Sequence, residues 1–248
     1  MRPVSNLPLV LPALTLPALG ALFSALTLIL VLATAPLSLA LSGRGPAAGL
    51  SATMVTGTVW RGRLTDAALG GVRLGDVRIG VSPLSLAAAR VRLGFRSEAA
   101  QGAVRLGARS VELMDVQAVL PLTALSPGAG LSGQVRLRGF NLEIRGAKCQ
   151  EAGGEVVFDQ LSLGGLELAG LTLAGTPTCS GWDVMVPLRG QADGVDVQAN
   201  LRVSPTGAYE MQLDLRTTRP EVEAALSAAG YQRTLNGYET RLSGRLGA

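Results

Sequence analysis

From Met54 onward the chain is written in short alternating runs, and this alternation constrains the fold more than any other feature. VTGTVWRGRL, GVRLGDVRIG, AARVRLGFRS, VELMDVQAVL, SGQVRLRGFNLEIRG and GEVVFDQLSLGGLELAGLTLAG are followed by WDVMVPLRG, VDVQANLRVSP, YEMQLDLRT and TRLSGRLGA. Neighbouring residues of a strand point to opposite faces, so each run predicts a strand with one apolar face. Gly, Asn or Pro turns separate the runs about every ten residues. Gaps so short hold no crossover helix, and the strands should therefore pair antiparallel in chain order. The period varies, which argues against a propeller or solenoid.

MVTGTVWRGRL reads as the first strand, with Thr58, Trp60 and Gly62 on one face and Val59, Arg61 and Arg63 on the other. In GVRLGDVRIG the register slips between Leu74 and Val77, which suits a bulge at a glycine. Val91, Leu93 and Phe95 share a face, and so do the leucines Leu161, Leu163, Leu166, Leu168, Leu171 and Leu173 within their runs. Two stretches read as short helices. Pro83 to Arg90 is one. Arg219 to Gly230 is the stronger: Pro220 stands in the first turn, Glu221 and Glu223 lie at the positive dipole end, and Gly230 can cap the other. Val222, Leu226 and Ala229 form its apolar stripe. The expected fold is mainly β: a transmembrane helix, then an antiparallel curved sheet with one or two short helices.

The membrane helix comes from the N-terminus. No charged residue lies between Arg2 and Arg44, and the apolar run exceeds the ~20 residues that cross a bilayer. Pro8, Pro12 and Pro17 break its first part. The division expected is an N-terminal segment over 1–15, a transmembrane helix over 16–37, a linker over 38–52 and a β-rich domain over 53–248. A cleaved signal peptide is the alternative, but the run is long for a signal core. The arginine count across the run leans slightly against a cytoplasmic N-terminus. A long following domain translocates largely regardless of such charges.

The chain has no histidine. This removes the commonest general base and metal ligand, and with them the Ser–His and Cys–His nucleophile pairs. The net charge is +4, with Lys148 the one lysine, a mild excess spread along the chain. Nucleic-acid binding would need basic residues clustered with aromatics between them. Glu112 and Asp115 in VELMD, and Asp193 and Asp196 in ADGVDV, are the nearest approaches to acid pairs. Solvated strand faces account for them more simply. PGAGLSGQ lacks phosphate-loop spacing. No catalytic residue, metal site or cofactor is expected.

Cys149 and Cys179 are the only cysteines. Two free thiols are the plain reading. A structural disulfide fits an exported domain better, and closing a loop of this size contributes roughly 3–4 kcal/mol. With the anchor, it implies the periplasm of a Gram-negative bacterium.

An apolar N-terminus, a short linker, then Gly57, Thr58, Val59, Trp60 and Gly62 in a G-T-V-W-x-G pattern come in sequence. A leucine- and arginine-rich strand series follows, then the cysteines in CQEAGGEV and GTPTCSGW, a V-P-L-x-G run, a helix and a closing L-S-G-x-L. In this order the chain resembles the type II secretion system protein N family, bitopic inner-membrane components of the general secretion pathway. A further tryptophan common in that family is replaced here by Ile79 or Val81 in VRIGVSP. The resemblance implies a non-enzymatic component in the bacterial inner membrane. Its periplasmic domain would support export of folded proteins through contacts with other secretion components. The terminal helix and closing strand also resemble AsmA-like envelope proteins, whose curved sheet would bind or transfer lipid.

Overall fold

The computed structural model describes residues 50–69, 72–82, 91–125, 131–163, 166–167, 170–192 and 194–245, together with Thr27, Thr34 and Leu37. The described strands belong to one compact unit, Pro36–Ala248. Most of the expected transmembrane helix, the segment before it and the expected helix at Pro83 to Arg90 lie outside the described residues. Among the described residues no helix is long and apolar enough to cross a membrane.

Seventeen strands form a single antiparallel sheet. In chain order they are β1 (Leu50–Ser51), β2 (Met54–Thr58), β3 (Arg61–Leu69), β4 (Val72–Val81), β5 (Val91–Arg96), β6 (Ala100–Leu106), β7 (Ser110–Pro121), β8 (Leu131–Arg145) and β9 (Lys148–Leu163). Then come β10 (Leu166–Glu167), β11 (Leu173–Gly175), β12 (Thr178–Ser180), β13 (Asp183–Ala192), β14 (Val195–Val203), β15 (Ala208–Thr217), β16 (Gln232–Thr234) and β17 (Gly237–Arg245). From β2 to β9 each strand pairs with the next. β10 and β11 follow β9, and with β12 they form a broken strand beside β13. β13, β14, β15 and β17 complete the meander, with β16 on the outside. The sheet is open: β2 carries β3 on one side, and β16 carries β17 on one side.

The first expected strand is corrected. MVTGTVWRGRL is a hairpin, not one strand: Thr58 pairs with Arg61, Gly57 with Gly62, and Val59–Trp60 form the turn. Gly57 takes φ +88°, and a Cβ on it would strike the Arg61 carbonyl. Alternation alone hides such a fold-back, because a two-residue turn keeps the apolar–polar rhythm on both arms.

Bulges bend the long strands. The slip read in β4 falls where Gly75 faces Ala67 and Val77 faces Leu64, with Asp66 at φ 51° on the opposing strand. A second, in β7, puts Asp115 at φ 46°. Its freed amide donates to Asn141 Oδ1 at 2.9 Å, and Asn141 Nδ2 donates to the Gly139 carbonyl at 2.7 Å.

Two helices cover one end of the apolar face. α1 (Leu122–Leu125) follows β7 and buries Leu122; α2 (Pro220–Ala228) follows β15 and buries Val222 and Leu226. α2 begins where Pro220 was read to begin it, and Gly230 follows at φ 83°. Ala229, read as part of its stripe, is exposed at the cap; Ala225 is half-buried instead. A hydrogen bond from its own backbone amide, and then the Arg219 guanidinium, hold the exposed Glu221 carboxyl below the usual carboxylate range. The larger core gathers Val135, Phe158, Leu173, Leu188, Val197, Leu213, Leu215 and the α2 residues. A smaller one joins Leu64, Ala67 and Val77 to Leu37, a helical residue from the end of the charge-free run.

Candidate interaction surfaces

The structure describes three of the four carboxylates that the sequence raised as acid pairs. Glu112 Oε2 receives Arg105 Nη1 at 2.6 Å, while Asp115 sits in the bulge three residues on. Asp193 lies outside the described residues, and Asp196 stands opposite Arg216 across β14 and β15. Asp159 Oδ2 pairs with Arg136 at 2.7 Å. Among the described residues no charged side chain is fully buried, and no group of three or more His, Cys, Asp or Glu could hold a metal ion. A cleft of about 420 Å³ runs past Gln101, Gln117 and Arg136, and another of about 350 Å³ past Asp196, Asp214 and Glu239. The first is lined about equally by polar and apolar groups, the second mainly by polar ones, and neither places a nucleophile beside a base among the described residues.

What the fold does assemble is an end of the sheet. The turns β2–β3, β6–β7, β8–β9, β12–β13 and β14–β15 all fall at the end opposite the two helices, as antiparallel pairing in chain order requires. The Cys149–Cys179 disulfide ties two of these hairpins together, β8–β9 and β12–β13, with Cα atoms 5.4 Å apart. Cys149 faces Ile144 on β8, and Cys179 faces Val184 on β13. The bond thus continues the apolar row Val91, Leu106, Val111, Ile144 into Val184, Val203 and Tyr209. Leu106 and Val111 remain 41% and 43% exposed, since neither helix reaches this end.

Both tryptophans stand here. Trp60 is half-buried in the β2–β3 turn; its carbonyl lies where Gly80 carries no Cβ, and Val81 N–H donates to the Val59 carbonyl at 3.2 Å. Trp182, read as the first residue of a strand, is instead in the β12–β13 turn and 54% exposed. Lys148 Nζ sits 5.2 Å from the centroid of its ring, a cation–π distance. Gly62, last of the G-T-V-W-x-G residues, is buried, because the Leu37 side chain occupies the place a Cβ would take. Gly57 permits the turn, Thr58 pairs with Arg61 beside it, Val59 and Trp60 form it, and Gly62 receives Leu37. Nothing local singles out Leu37 or Trp182, because neither contact is visible before the strands are paired.

The family model for the type II secretion system (T2SS), protein N, matches residues 48–241. No curated protein and no solved structure matches the chain. The matched span runs from just before β1 into β17 and so takes in nearly every strand of the sheet. The chain belongs to the type II secretion system protein N family.

Proposed function

We propose that this chain is a non-enzymatic, single-pass component of the bacterial inner membrane, with its sheet in the periplasm. There it supports export of folded proteins across the outer membrane by holding other components of the secretion system. The family match carries this reading. The disulfide supports an oxidising compartment, and the charge-free run ahead of β1 supports an anchor. The free side of β2, with Met54 58% exposed, offers backbone groups to a partner strand. Crosslinking with mass spectrometry on the full-length chain in cells tests the reading. Recovery of other secretion components supports it, and their absence counts against it.

A second reading, an AsmA-like protein whose sheet binds lipid, draws on one observation. On β5 to β8 the row Leu93, Val104, Leu113, Leu142 belongs to neither buried core and is only half-covered. Phospholipid that stays with the chain through detergent exchange would favour that reading over the first.

A further inference from the structure

Basic residues without an ion-pair partner gather toward one end of the sheet, although the sequence shows only a mild net excess. The end bearing the β2–β3, β6–β7 and β8–β9 turns carries Arg61 and Arg63 at the start of β3, Arg78 opposite Arg63 on β4, Arg109 in the β6–β7 turn, and Lys148 at the start of β9. The end with α1 and α2 carries Asp66, Asp159, Asp196, Glu221 and Glu223 interspersed with Arg73, Arg136, Arg216, Arg219 and Arg233. Carboxylates also occur at the first end: Glu112, Glu143 and Asp183 are taken up by Arg105, Arg145 and Arg202 at 2.6, 2.7 and 3.3 Å, while Glu151 stands opposite Glu143 and Glu210 opposite Arg202. Arg61, Arg63, Arg78 and Arg96 have no ion-pair partner among the described residues.

Their arrangement is unfavourable in isolation. Arg63 stands directly opposite Arg78, and Arg78 directly opposite Arg96, on the exposed face of β3, β4 and β5. Like charges directly opposed across a sheet repel and destabilise it. An anionic partner reverses the sign of that contribution.

Leu37 indicates which partner. It packs at Gly62, in the same turn-proximal part of β3 that bears Arg61 and Arg63. It also ends the segment read as membrane-spanning. The arginines are thus held within a few residues' length of the point where that segment joins the sheet. Trp60 and Trp182, the residue type that settles at a headgroup boundary, occupy turns at this end.

We propose that this end of the sheet, through Arg61, Arg63, Arg78 and Arg96, docks on the phosphate groups of anionic phospholipids. The sheet then stands with its disulfide-tied turns toward the bilayer and its helices away from it. This inference rests on the anchored reading above and adds to it an orientation and a lipid class. Each basic residue near such a surface strengthens docking about fivefold.

The test uses the full-length chain reconstituted into vesicles of phosphatidylcholine alone or with phosphatidylglycerol, each carrying a headgroup-level nitroxide quencher. Tryptophan fluorescence reads the approach of Trp60 and Trp182. Docking predicts stronger quenching with phosphatidylglycerol. Raising the salt to 1 M, where the screening length is about 3 Å, should remove that gain. The Arg61→Gln, Arg63→Gln, Arg78→Gln variant should also lose it. Arg216→Gln with Arg233→Gln, at the far end, should leave it intact. Circular dichroism confirms that both variants fold.

Quenching that is equal in the two vesicles, or unchanged in the triple variant, overturns the proposal. So does a triple variant that keeps its quenching while losing a crosslink to an acidic secretion component in cells; the face would then belong to a protein. Flotation with the vesicles separates the two readings. A chain that does not float at all contradicts the anchor, whereas one that floats without lipid-dependent quenching contradicts only the docking.

Discussion

Leu37 packs against Gly62, a described contact between the charge-free run and the sheet. A Cβ on Gly62 would meet the Leu37 side chain, so Gly62→Ala should cost about 1–3 kcal/mol through overpacking. Leu37→Ala removes the obstruction. The double variant should therefore be less destabilised than the sum of the two singles, by about 0.5–3 kcal/mol. Chemical denaturation of the four proteins measures this directly, and strict additivity would show that Leu37 does not sit on Gly62. Gly57 differs: at φ 88° against the Arg61 carbonyl, its alanine variant is strained whatever stands at position 37. Such roles were only half legible in the sequence. The glycines of G-T-V-W-x-G stood out, but nothing local distinguishes a strand with two glycines from a hairpin needing one for φ and one for space.

At the scale of elements, the sequence was most informative where periodicity and end signals agreed. α2 starts at Pro220 and stops before Gly230 because fixed φ at one end and a left-handed glycine at the other leave little choice. Its hold on the sheet comes from two side chains, so Leu226→Ala should cost about 2–5 kcal/mol, while Ser227→Ala on the exposed side should shift the melting temperature little. α1 could not be foreseen, since four residues of LTAL carry no period. Its one described core contribution, Leu122, depends on the sheet beneath it. The disulfide is also an element-scale device. Cys149→Ser with Cys179→Ser should lower stability by roughly 3–4 kcal/mol, read from the shift of the denaturation midpoint under non-reducing conditions. Alkylation of the protein isolated from cells should label neither cysteine without reductant. Glu221 adds a small pH term. Its depressed value gives stability above the unfolded carboxylate range that is lost as pH falls through the folded one, and its exposure keeps the effect minor.

Taken whole, the sheet is apolar on one face, open at both edges, capped by helices at one end and tied by a disulfide at the other. Alternation was enough to foresee strands that pair in order, and therefore that all the turns of one parity share an end. It could not show that both tryptophans and the unpaired arginines gather at that end, because their spacing along the chain is irregular and only pairing brings them together. No catalytic constellation was read in the sequence. In the structure the described carboxylates at its candidate sites stand in ion pairs, a bulge and open strand faces. Under the proposed reading, the free side of β2 is where a partner strand would bind. A photoreactive amino acid in place of Met54, in cells secreting through the system, tests this most directly. A covalent adduct with another secretion component is expected, absent when the same probe replaces Ser227 on α2. Equal labelling from both positions, or none from position 54 in actively secreting cells, would contradict it.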